Sequence, residues 1–344
     1  MHNRFISAFK KNHSLLKIIE TTLLILGLIF IALILSELIY GYLNLESTES
    51  GEFEGSRALL ENPKYSPYLG YISRNRDTKN KCGDGDAARI FTFGGSTMWG
   101  MGVDYENTIA SNISEVLCDQ GFNVKVSNYG QLGYVSTQEK IYLLKLLRDK
   151  SPDVVVFYDG VNDPDPDRNP GGLHMDPTRY LIDEFMYKES PMRGVSNLIL
   201  SSLLEDYHKP AKNYMRREEF EEENLGQKIV DIYFHNLKIV SSLEDSFNFN
   251  SLFYWQPSLA TRENPSDAEK EMIASGDHDP LLDAYQKTNK IINEKEHNFQ
   301  NFNNLMDIFN DREEHIYLDD CHKKPIGNRI VAKRIANDIA DYLN

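Results

Sequence analysis

Four short stretches of this sequence hold side chains that could act together on an acyl group. Asp319 and His322 stand three residues apart in YLDDCHKKPIGN (317–328). On one tight or helical turn that spacing lets the two meet. The carboxylate can then accept from Nδ1–H, fix the tautomer and leave Nε2 free to take a proton. Asp320 lacks the spacing and reads as solvated. Ser96 lies in FTFGGSTMWG (91–100), where flanking glycines allow a sharp turn. A helix beginning there would aim N–H groups at a developing oxyanion. No G-K-[ST] follows, so this is not a P-loop. YDGVND (158–163) offers the neutral amide of Asn162 as a second donor, and Asn128-Tyr129-Gly130 a glycine N–H. Taken singly, each stretch is equally a turn, an Asx loop or a surface histidine. Together they supply nucleophile, base, orienting acid and oxyanion donors.

The elements around them must bring the four together. ARIFTF (88–93) reads as a buried strand running into the Ser96 turn. A helix from about Asn107 follows, with Ile109, Ile113, Val116 and Leu117 on one face and Gly121 as its stop. Further strands are expected at 124–127, 153–158 and 251–255, with a short strand-like piece at 305–309. Helices are expected at 137–149, 227–243, about 280–298, and from Gly327 to the end. Strands alternating with helices imply a parallel α/β sheet covered on both faces. Sites in such sheets sit at the carboxyl ends of the strands, where all four stretches fall.

With that order and placement the chain resembles the SGNH hydrolase superfamily, the GDSL-like esterases and acylhydrolases. The family's blocks match Ser96, Gly130, Gly160-Val161-Asn162-Asp163 and Asp319 with His322. The resemblance covers about 88–344, apart from an insertion over 164–222. It implies a three-layer α/β/α sandwich and a Ser96–His322–Asp319 triad. It further implies an oxyanion hole from the N–H groups of Ser96 and Gly130 and the side chain of Asn162, with no cofactor or metal. Gly95 stands where the family's block has Asp, and Thr97 where Leu is common, which weakens a lipase label.

The chain has 344 residues, of which 41% are hydrophobic and 26% charged, with a formal net charge of −15. Such acidity disfavours nucleic acid as a partner. From Thr21 to Leu35 nearly every residue is apolar, and residues 17–43 as one helix would rise about 40 Å, enough to cross a bilayer. Arg4, Lys10, Lys11 and Lys17 precede this run, while Glu46, Glu49, Glu52 and Glu54 follow it. That asymmetry puts 1–16 in the cytoplasm, makes 17–43 a transmembrane anchor and the rest extracytoplasmic, with 44–87 a stalk leading into the domain. A cleaved signal peptide is the competing reading.

Three weaker features remain. Asp163, Asp165 and Asp167 imitate a calcium loop but lack its Gly and Glu. Trp99, Tyr158 and Trp255 either line a sugar or acyl pocket or pack in the core. Cys82 and Cys118 fall at the sheet face opposite the site and are expected to pair, leaving Cys321 a free packed thiol. The expected activity is an extracytoplasmic esterase, or an acyl transferase, on acylated envelope carbohydrate. A lipid acylhydrolase and a non-catalytic envelope assembly or binding protein are the alternatives.

Overall fold

A computed structural model describes residues 64–66, 68–72, 78–164, 222–275, 280–295, 299 and 301–344, with helical residues at 17, 19, 21–32 and 35. The helical residues 17–35 and the body from Lys64 onward belong to two separate compact units. In the first, Leu23, Leu24, Phe30 and other large apolar side chains are half or more exposed. Among the described residues no helix is long and apolar enough to cross a membrane. The expected span over 17–43 lies partly outside them, as does nearly all of the 164–222 insertion.

The body is built on five parallel strands: β3 (Ala88–Gly94), β4 (Val124–Asn128), β5 (Val154–Asp159), β6 (Asn250–Trp255) and β7 (Phe302–Asn304), in the order β4-β3-β5-β6-β7. Alternation along each strand feeds two cores. Ile90, Val154, Val156, Tyr158, Leu252 and Tyr254 face one side. Phe91, Phe93, Val155, Phe157, Phe253 and Trp255 face the other. A strand buried on both faces has no need of a polar residue, hence the unbroken VVVFY of β5. On the second face the Tyr129, Phe93, Phe157 and Phe253 rings stack in a row across the strands at 5.6, 5.1 and 5.4 Å.

Helices α2 (Ile109–Asp119) and α8 (Pro325–Leu343) cover the first face, α3 (Ser136–Leu146) and α4 (Glu222–Ser241) the second. The result is the three-layer α/β/α arrangement expected. Helix α2 starts where the Thr108 side chain accepts from Ser111 N–H, and α8 starts at Pro325, whose missing N–H costs a first turn nothing. The remaining helices are α1 (Ser96–Trp99), α5 (Glu244–Phe247), α6 (Asp267–Ser275) and α7 (Pro280–Lys295).

Two expectations need correction. The last strand is Phe302–Asn304, and the 305–309 segment is a turn whose Leu305 and Phe309 face the core. Its apolar residues mark burial, which a buried turn shows as well as a strand. Residues within the expected stalk form a hairpin, β1 (Lys64–Ser66) and β2 (Gly70–Ile72), and Leu69 at its turn is fully buried against the second face. Helix α6 was not anticipated. The expected bridge is present: Cys82 and Cys118 are disulfide-bonded with Cα atoms 5.9 Å apart, and Cys321 is free and buried.

Candidate active site

Strand β3 ends at Gly94-Gly95, and the chain turns at once into α1, with Ser96 as its first residue. Asn162 lies against this turn from the loop after β5: a Cβ at Gly95 would overlap its Nδ2. Close approach of the amide is why this position takes glycine. The Asn162 amide donates to Tyr134 O at 2.7 Å, and its other hydrogen remains for a ligand. The Ser96 N–H, in the first turn of α1, has no acceptor among the described residues.

The acid and base arrive on a loop that closes on itself before α8. Tyr317 and Lys323 form an antiparallel bridge, Leu318 N–H donates to His322 O at 2.8 Å, and Lys324 N–H to Ile316 O at 2.8 Å. At its tip, Asp319 Oδ1 accepts from the N–H groups of Cys321 (2.9 Å) and His322 (2.7 Å). Asp319 Oδ2 lies 2.7 Å from His322 Nδ1, and His322 Nε2 lies 2.8 Å from Ser96 Oγ. Burial would raise the Asp319 carboxyl, but the bond and charge of His322 and the two N–H groups hold it far below the usual carboxylate range. An ionised Asp319 requires the ring proton on Nδ1, so Nε2 accepts from the Ser96 hydroxyl. A proton can thus move from Ser96 to an imidazole whose other side faces a fixed negative charge.

Ser96, Asp319, His322 and Asn162 therefore come together as expected. Gly130 does not serve as an oxyanion donor: its N–H is taken by Asn128 Oδ1 at 2.9 Å, an Asx turn that competes for the donor. A Cβ at Gly130 would lie 2.5 Å from Trp99 N, so the glycine is there for packing under α1. Asn128 was overlooked, although an Asn two residues before a strand-end glycine is the signature of such a turn. Its Nδ2 donates to Met98 O at 2.9 Å, which ties α1 to the end of β4. Gly133, next on the same loop, makes no hydrogen bond among the described residues and immediately precedes Tyr134.

Trp99, Tyr158 and Trp255 are core residues, each at most 3% exposed. Trp255 Nε1 donates to Asn289 Oδ1 at 2.8 Å. The Asp163 carboxylate accepts from Ser136 N–H and Oγ at the start of α3, so it is already spent on a helix end. Asp165 and Asp167 lie outside the described residues. Two further charged groups escaped the sequence reading. Lys323 is buried, its Nζ donating to Cys321 O at 2.8 Å and lying 5.5 Å from the centres of the Tyr158 and Tyr317 rings. Burial pulls this ammonium down to about 8. Glu139 on α3 and Asp159 at the end of β5 are also buried, their carboxyls facing each other and the Tyr233 hydroxyl.

No protein-family model matches the chain, and no curated protein matches it. Solved structures do. A member of the lipolytic G-D-S-L family from Veillonella parvula is 14% identical over 74% of this chain and 99% of its own, at a TM-score of 0.39. An acetylxylan esterase from Geobacillus stearothermophilus is 14% identical over 75% and 96%, at 0.40. A carbohydrate acetylesterase family member from Sinorhizobium meliloti is 13% identical over 74% and 99%, at 0.37. Likenesses this distant carry no argument about chemistry, which rests on the four side chains and their distances.

Proposed function

We propose that this chain is a serine esterase of the SGNH type. The observation that carries this reading is the unbroken line from Ser96 Oγ through His322 to Asp319, with contacts of 2.8 and 2.7 Å. His322 Nε2 removes the Ser96 proton as Oγ attacks an ester carbonyl. The oxyanion is held by the Ser96 N–H and the Asn162 amide. The imidazolium, steadied by Asp319, returns its proton to the leaving alcohol, and water or a second hydroxyl then releases the acyl group.

The acyl group is acetyl and its carrier envelope carbohydrate in this reading. What supports it is the setting. The apolar N-terminal helix, with basic residues before it and acidic ones after, fits an anchor that leaves the catalytic body outside the cytoplasm. A Cys82–Cys118 bridge fits an oxidising compartment.

The test is hydrolysis of p-nitrophenyl acetate against a long-chain ester, together with labelling by a serine-directed phosphonate. Wild type should prefer acetate, and Ser96→Ala should lose both hydrolysis and label. Labelling that survives in Ser96→Ala would overturn the assignment, and preference for the long chain would move the substrate to lipid. A reporter fused after Asn344 that is active only in the cytoplasm would overturn the topology.

A further inference from the structure

Cys321 has no part in the chemistry above, yet it sits against its central group. Its Sγ is 3.6 Å from His322 Nδ1, the atom that Asp319 Oδ2 also holds at 2.7 Å. One oxygen, one nitrogen and one sulfur ligand atom thus lie within 4.8 Å of each other on four consecutive residues, and no other such group of three occurs among the described residues. We propose that Asp319, Cys321 and His322 form a capture site for a thiophilic divalent cation such as zinc or cadmium, and that filling it switches hydrolysis off.

The spacing suits such an ion. With metal–sulfur near 2.3 Å and metal–nitrogen near 2.05 Å, a tetrahedral site separates sulfur from nitrogen by about 3.6 Å. The Sγ to Nδ1 distance already has that value. The same geometry separates nitrogen from oxygen by about 3.3–3.4 Å, so Asp319 Oδ2 must withdraw by roughly 0.6 Å to admit the ion. Its partner Oδ1 is held by two backbone N–H groups, and rotation about that fixed edge supplies the movement. Asp319 is the most exposed of the three, with 29% of its side chain open to solvent, and gives both the way in and room for a water as fourth ligand. A thiol beside an imidazole selects zinc or cadmium over magnesium or calcium.

The exchange balances without a redox step. The cation takes the place of the proton on Nδ1, which moves to Nε2 so that the ring stays neutral; the proton on Sγ leaves to solvent, and Asp319 is already ionised. The outcome for catalysis rests on the esterase reading. A ring that binds the dication through Nδ1 and carries its proton on Nε2 has no lone pair left for the Ser96 proton, and Asp319 no longer faces an N–H.

Zinc chloride and cadmium chloride, each titrated into the full chain, test this with two readouts. The first is p-nitrophenyl acetate hydrolysis. It should fall and return on adding a chelator, and Cys321→Ala should need roughly tenfold more metal or beyond. The second is the ultraviolet cadmium–thiolate band, which does not depend on activity. With Cys82 and Cys118 bridged, any such band belongs to Cys321. It should be present in wild type and in Ser96→Ala and absent from Cys321→Ala. Should Cys321→Ala misfold, Cys321→Ser keeps the shape and still loses the band. Equal inhibition of wild type and Cys321 variants, or no band in Ser96→Ala, overturns the proposal. A band in wild-type protein that shows no esterase activity upholds the metal site and overturns the esterase reading instead.

Discussion

At the scale of single residues, Asp319 bears more of the site than its motif suggests. One oxygen builds the loop by accepting two backbone N–H groups, and the other fixes the His322 tautomer. Asp319→Asn separates these tasks. The remaining carbonyl oxygen can keep the loop, while an amide facing Nδ1 imposes the wrong tautomer. The expected result is a fall in kcat by roughly 10⁴ with KM little changed, measured by steady-state hydrolysis of p-nitrophenyl acetate. A pair of acids makes a different prediction. Burial raises the Asp159 carboxyl from 3.8 to about 7, against the bond from Glu139 and with the charge of Asp163. Burial, then the charge of Asp159, pushes Glu139 well above its usual range. The folded chain therefore holds protons in this window that the unfolded chain has released. The stability they confer is full below the ordinary value and is lost as pH rises through about 7. Glu139→Gln with Asp159→Asn should flatten that fall, read as Tm against pH beside wild type. The triad could be read from the sequence because its acid and base are three residues apart and its serine follows a pair of glycines at a strand end. The acid pair could not, since residues 139 and 159 meet only when α3 packs on β5.

At the scale of elements, the loop bearing Asp319 and His322 is held from behind by α6. Glu269 on that helix is fully buried, and its Oε1 accepts from Ile316 N–H (2.9 Å) and Tyr317 N–H (3.0 Å). Arg262 grips the same carboxylate at 2.5–2.6 Å and donates to Arg312 O and Glu314 O. One ion pair thus joins α6 to both ends of the approach to the catalytic loop. Glu269→Ala would leave a buried guanidinium unpaired and two N–H groups unmet, at a cost of about 3–5 kcal/mol. The expected outcome is a large drop in Tm, with activity at low temperature reduced through kcat, measured by thermal unfolding and steady-state kinetics on the same variant. The disulfide makes the contrasting case. It closes a separation of 36 residues at the end of the sheet away from Ser96, so Cys82→Ala with Cys118→Ala should cost about 3–4 kcal/mol and leave kcat unchanged. The strands and helices of the sheet were legible because continuous apolar runs and 3.6-residue periods survive any context. The hairpin of Lys64–Ser66 and Gly70–Ile72 was not, since three-residue strands hold no period to detect. Nor was α6, whose DAEKEMIAS reads as a solvated segment until Glu269 is seen to face inward.

At the scale of the whole molecule, every residue of the site belongs to the body, and the helical residues 17–35 to a separate unit. The body carries two cores, a closed catalytic loop and a bridged lead-in. Several large apolar side chains among the helical residues 17–35 are half or more exposed, the pattern a segment lying in an apolar medium would have. If that medium is a bilayer, anchoring and chemistry are independent properties. Removing residues 1–43 should then release the protein from the membrane fraction while kcat and KM for a soluble acetyl ester stay within about twofold of the full chain in detergent, a change of no more than about 0.4 kcal/mol. Activity against acetylated polymer held at the envelope should fall much further, because tethering raises the local concentration of enzyme at that surface. Sedimentation of the truncated and full chains, with both substrates assayed on each, separates the two properties. A truncated chain that still sediments with membranes would place the anchor elsewhere. One that becomes soluble but loses activity on the small ester would show that the N-terminal segment supports the body as well as holding it.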